Sequence, residues 1–226
     1  ILEVSLDDLL SGKEMEKVVE RNPVIEKKSV NNIMIALYAF VVISFFITIV
    51  DIIIRFPLQS ERIDYNDIQA IVINVLALLI QIFFFAYGFV NAIRGMLSPK
   101  RMGAVIVAFF AATCITGTGN MVINSNVQIV LWWIVLIIPN IVGAVATFAY
   151  FVSGKKSKIY SIMIYLVTIW GMFRIIYSNY NLIVHANQYL SMNSTVRLVL
   201  EVAIHCLVIY QTYVLWIKRQ NAIDIS

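Results

Sequence analysis

Charge is scarce in this sequence: Asp, Glu, Lys and Arg supply 13% of its 226 residues, against 61% hydrophobic ones. Soluble domains carry about 25% charged and roughly 45–50% apolar residues, so a water-soluble globule is excluded. With a mean hydropathy of +0.85, lipid must take the apolar surface that a core of this size cannot hide. Proline and glycine are few as well, four and nine, and no stretch is low in complexity, which excludes flexible linkers between independent domains. The two cysteines, Cys114 and Cys206, both fall in apolar runs and read as reduced packing residues. There are only two histidines, and neither an H-E-x-x-H helix nor paired C-x-x-C occurs, which argues against a zinc protease or a structural zinc site. His185 lies in a loop, so a bis-histidine haem is not expected either. The nucleotide loop G-x-x-x-x-G-K-[ST] and the hydrolase elbow G-x-S-x-G are missing too. No metal or cofactor is expected, and an enzyme is the least favoured class.

What is present is a series of long apolar runs, at residues 33–54, 68–92, 102–122, 127–152, 159–178 and 196–217. Each is long enough, at about 1.5 Å per residue, to cross a hydrocarbon core roughly 30 Å thick. Their Ile, Val and Phe would favour strands in water. In lipid only helices and closed barrels satisfy the backbone, and these runs are too long and too uniformly apolar for barrel strands. The expected fold is an all-α polytopic bundle of about six transmembrane helices over residues 31–219. Residues 220–226 form a cytoplasmic tail, and residues 1–30 are a separate, charged and amphipathic cytoplasmic segment. In that segment Leu6, Leu9 and Leu10 have helical spacing, Ser5 and Asp8 read as a helix start, and Asn22-Pro23 as its end. It is expected either to lie against the bundle or to dock a cytoplasmic partner.

The formal charge of +4 does not point to nucleic acid, because the basic residues sit in short runs between the apolar ones. Lys27 and Lys28 precede the first span. Arg94, Lys100 and Arg101 lie between the second and third, Lys155, Lys156 and Lys158 between the fourth and fifth, and Lys218 and Arg219 follow the last. With six crossings all of these share one face of the membrane, which predicts both termini in the cytoplasm, within the cell membrane.

Polar residues inside the spans are the functional candidates, since ionisable groups are expensive in lipid. They are Asp51, Asn74, Gln81, Asn120, Asn140, Arg174, Glu201 and His205. Arg174 and Glu201 both lie about 8 Å to the outer side of their span centres, which predicts an ion pair between consecutive helices. Arg197, Glu201 and His205 recur at i, i+4 and i+8, and Thr212 continues their face, so this face is expected to point into the bundle. Pro139 frees a carbonyl in the fourth span and predicts a bend. Thr116-Gly117-Thr118-Gly119 has a weak likeness to a channel filter, which needs several copies around an axis.

Two readings stay open on these residues. In one, the outer half of the bundle holds a polar pocket, and the chain is a small transporter or the membrane-embedded subunit of a transport complex. In the other, the ion pair is a packing lock and the chain is a non-catalytic accessory, immunity-type or sensor subunit. Six crossings in so short a chain suggest a homo-oligomer or association with other membrane subunits.

Overall fold

The structure, a computed structural model, describes residues 28–55, 65–119, 126–180, 184 and 192–223. The amphipathic segment before residue 28, Asn120 and most of the loop before the last span lie outside these. Every long element among the described residues is helical, as the backbone demands when no water is available to bond its amides. Helix α1 spans Lys28–Arg55, α2 Tyr65–Ile93 and α3 Pro99–Gly119. The fourth, α4, is one run of Asn126–Trp132, a π-helical turn Trp133–Ile137, Ile138–Thr147 and a second π-helical turn Phe148–Val152. Helix α5 spans Lys158–Ser178 and α6 Met192–Ile223. Pro99 opens α3, where its missing N–H leaves no bond unmade.

Several helices overrun the apolar runs that predicted them: α1 begins five residues before Ile33 and α6 continues six beyond Ile217. Hydropathy marks where lipid ends; helical hydrogen bonding continues into the polar margin. Five helices are long and apolar enough to cross a membrane: α1, α2, α4, α5 and α6. Their outer surfaces invert the soluble pattern. Phe83, Val145 and Leu166 are 68%, 62% and 62% exposed, whereas Gln211 and Thr212 are fully buried. Apolar outside and polar inside is the arrangement of a protein solvated by lipid.

The helices pack in a ring in chain order. Each of α1 to α5 contacts the next, and α6 closes on α1. Helix α6 also reaches α3 across the middle, where Val105, Phe109 and Phe110 share one core cluster with Ile204, Leu207 and Val208.

The α2–α3 and α4–α5 connections are tight turns at the same end of the ring, hereafter the turn end. At the first, Gly95 takes φ +64°, and the Gly95 and Met96 N–H groups donate to the Ala92 and Asn91 carbonyls at 3.0 and 2.9 Å. That pair of bonds ends the helix in the left-handed cap for which glycine carries no Cβ penalty. At the second, Gly154 takes φ +68°, and Lys155 N–H donates to the Ala149 carbonyl at 3.0 Å.

Side chains bolt the same end across helices. Asn31 Nδ2 donates to the Ala92 carbonyl at 3.1 Å, joining α1 to α2. Nearer the middle of the bundle, Gln211 of α6 donates to the Tyr38 hydroxyl of α1. Arg219 Nη2 donates to the Tyr150 carbonyl of α4 at 3.0 Å, with its guanidinium 4.5 Å from the Tyr150 ring centre. Replacing Gly95 by Ala is expected to cost about 1 kcal/mol, and by Asn only part of that. Reversible unfolding in mixed micelles checks this; equal stability of all three proteins would contradict the capping role.

Candidate functional site

The far end of the ring is organised by Pro139. A helix residue normally donates to the carbonyl four positions back, so Pro139, with no N–H, leaves the Val135 carbonyl without its helical donor. The chain responds by widening into the π turn Trp133–Ile137, in which Ile138 N–H donates to the Trp133 carbonyl. Side chains then serve three successive carbonyls. Trp170 Nε1 of α5 donates to Val135 at 2.8 Å, Asn140 Nδ2 to Leu136 at 2.7 Å, and the Cys114 thiol of α3 approaches Ile137 at 3.9 Å. The predicted bend is thus a π turn held from both neighbouring helices.

One residue beyond Trp170, Gly171 turns to the opposite side of α5 and meets α6. A Cβ there would collide with His205 Nε2 and lie 2.9 Å from its Cδ2, so only glycine admits the imidazole. His205 is 5% exposed. Its Nδ1 is 2.6 Å from the Glu201 carbonyl of its own helix, and Phe109 of α3 presents a ring edge-on at 5.3 Å. A carbonyl can only accept, so Nδ1 carries a proton and donates, while Nε2 faces Gly171.

Arg174 lies one further turn along α5, half-buried. On the packed pair α5 and α6, Arg174 is thus one turn beyond Gly171 and Glu201 one turn beyond His205, on the same side of the Gly171–His205 contact. On the expected face of α6, Glu201 is half-buried, His205 buried, and Thr212 fully buried with its hydroxyl donating to Val208 at 2.8 Å, whereas the side chain of Arg197 lies outside the described residues.

Of the other candidates, those among the described residues do not join this group. Asn140 is buried on α4 and spends its amide on Leu136. Gln81, buried, and Asn74, half-buried, lie on α2, which packs against α1 and α3, whereas α5 packs against α4 and α6. Asp51 belongs to α1, but its side chain, like all of Asn120, lies outside the described residues. Residues 116–119 form the last turn of α3 rather than a filter loop. Among the described residues no three His, Cys, Asp or Glu side chains converge as a metal site.

Buried polarity extends beyond the outer half, where the sequence places its pocket. Tyr38 and Gln211 bond nearer mid-bundle and Arg219 at the turn end. Their partners lie far apart in the chain, and no signal in one sequence joins them. Trp170 has a partial signal in the sequence, since Pro139 leaves the Val135 carbonyl without its helical donor. Gly171 and Phe109 leave no signal in one sequence.

No family model, curated protein or solved structure matches the chain.

Gly171→Ala is expected to destabilise the protein by about 1–3 kcal/mol through overpacking. Gly171→Ala/His205→Ala is expected to recover most of that loss, as a contact-specific coupling should. Unfolding of the four-protein cycle measures it, and additive losses would sink the close-approach argument.

Proposed function

We propose that this protein crosses the cell membrane six times, with both termini in the cytoplasm, as a small transporter or the membrane-embedded subunit of a transport complex. Arg174, Glu201 and His205 then form a polar site near the exoplasmic side. The observation that carries this reading is the convergence of three ionisable groups in a bundle whose surroundings are apolar, since such groups are costly in lipid and mark ion or solute pathways. Orientation is supported by Arg94, Lys100 and Arg101 at one tight turn and Lys155, Lys156 and Lys158 at the other, because basic loops stay in the cytoplasm. Helix α3, though outside the five most clearly apolar helices, is about 31 Å long and completes the ring. A solute anion competing for Arg174, or a proton taken by Glu201, would loosen the attraction between α5 and α6.

One observation favours a second reading, in which the chain is a non-catalytic accessory, immunity-type or sensor subunit. Phe109, Phe110, Leu207 and Val208 fill the middle of the ring, so a single bundle offers little room for alternating access. On either reading the chain works in an assembly, as a homo-oligomer or beside other membrane subunits, with the segment before residue 28 available to a cytoplasmic partner.

Proteoliposomes separate the two. For a transporter, proton uptake followed by a pH-sensitive dye, or uptake of labelled small ions, exceeds that of empty vesicles. Glu201→Gln and Arg174→Met each reduce it at least about tenfold, while unfolding stability changes by less than about 2 kcal/mol. Flux equal to that of empty vesicles, with a fixed set of other subunits after gentle purification from native membranes, identifies an accessory component. That component would tolerate Arg174→Met with Glu201→Leu, because a packed apolar pair replaces a purely structural ion pair.

A further inference from the structure

Packing brings the two tight turns of the bundle together. A Cβ on Gly103, in the first turns of α3, would collide with the Phe151 Cβ at the end of α4, so these helices touch almost backbone to backbone. The next residue back, Tyr150, receives Arg219 of α6 on its carbonyl. Lys100 and Arg101 precede Gly103, and Lys155 follows Phe151. In an antiparallel pair both sets leave the contact toward the same end, so the basic residues of the two turns form one patch.

The charge of this patch is unbalanced. Arg94, Lys100, Lys155 and Lys158 are exposed, and among the described residues no Asp or Glu lies at this end. Arg101 is half-buried and its Nη1 donates to the Met96 carbonyl at 2.5 Å, within its own turn. Lys155 Nζ stands 5.8 Å from the Tyr160 ring centre, which holds the ammonium at the head of α5.

Beside the charges the surface is immediately apolar. Ile93 and Met96 flank Arg94, Ile159 and Ile162 follow Lys158, and all four are 48–58% exposed. A soluble anion would use only the charges. A phospholipid uses both features, its phosphate against the basic residues and its acyl chains along the apolar ones. A zwitterionic headgroup would bring a second, positive group to a patch that offers it no described carboxylate.

We propose that the joined turns seat the headgroup of an anionic phospholipid, held by Arg94, Lys100, Lys155 and Lys158. Basic clusters at the edge of a membrane span attract anionic headgroups in this way. The seat is separate from Arg174, Glu201 and His205 and does not depend on the transport reading.

The test is native mass spectrometry of the full chain released from nanodiscs of equal phosphatidylglycerol and phosphatidylcholine. Retained phosphatidylglycerol is expected to exceed phosphatidylcholine by at least about fivefold and to fall as ionic strength rises. Lys155→Gln/Lys158→Gln lowers that retention by about tenfold or more, Lys155→Arg/Lys158→Arg keeps it, and Lys100→Gln on the other turn lowers it by about fivefold. Thermal unfolding in lipid-free detergent is expected to be the same for all of these proteins. Equal retention of the two lipids overturns the proposal, as does full retention by the double Gln variant. An inert Lys100→Gln overturns the joining of the turns into one seat. Release of the lipid by inorganic phosphate alone overturns the part given to the apolar flank. Selective retention that appears only after Glu14, Glu16 and Glu20 are changed to Gln makes the acidic N-terminal segment the occupant, and overturns the lipid.

Discussion

Inside hydrocarbon there is no water to bond a peptide group, and the rest of this structure follows from that constraint. It turns Ile- and Val-rich segments into helices, and it also decides what most of the polar side chains do. Thr48, Asn91, Thr113, Asn140, Thr168 and Thr212 each donate to the carbonyl four residues earlier in their own helix, at 2.6–2.9 Å. A hydroxyl or amide in lipid finds its nearest acceptor on its own backbone and is thereby hidden. Other polar groups among the described residues act between helices, Asn31, Trp170, Gln211 and Arg219 among them, and these give the bundle its particular character.

The same constraint explains how the helices adhere. Lipid tails are as apolar as leucine, so association depends on close fit and on interhelical bonds. Gly171 is a point where a polar ring is pressed against the neighbouring helix, and Gly88 does the same for the Tyr38 ring. At each, the small residue lies on one helix and the bulky polar ring on the next, and that ring is also hydrogen-bonded. Fit and bonding therefore coincide.

Much of this was legible in the residues. The apolar runs gave the helices to within a few residues, because a hydrophobic stretch long enough to span has only one way to bond its backbone. The i, i+4 spacing of Glu201 and His205 predicted a shared face, on which Glu201 is half-buried and His205 buried. A pocket drawing in Asn74, Gln81 and Asn140 was not reached by such counting. Depth along each helix follows from sequence position, but rotation about each axis and the ring order do not, and in the ring α2 is remote from α5. Likewise Tyr38 and Gln211 lie 173 positions apart in the chain, with only similar depth to link them.

The closure of the ring by α6 has a consequence for biogenesis. The chain is synthesised from its N-terminus, yet the partners of Tyr38 on α1 and of the Tyr150 carbonyl on α4 both belong to α6. Until α6 is inserted, the first five helices form an open sheet of neighbours with a seam facing lipid. The last helix thus acts as the keystone of the nascent bundle, and quality control that samples exposed intramembrane polarity would read its absence as an unfinished protein.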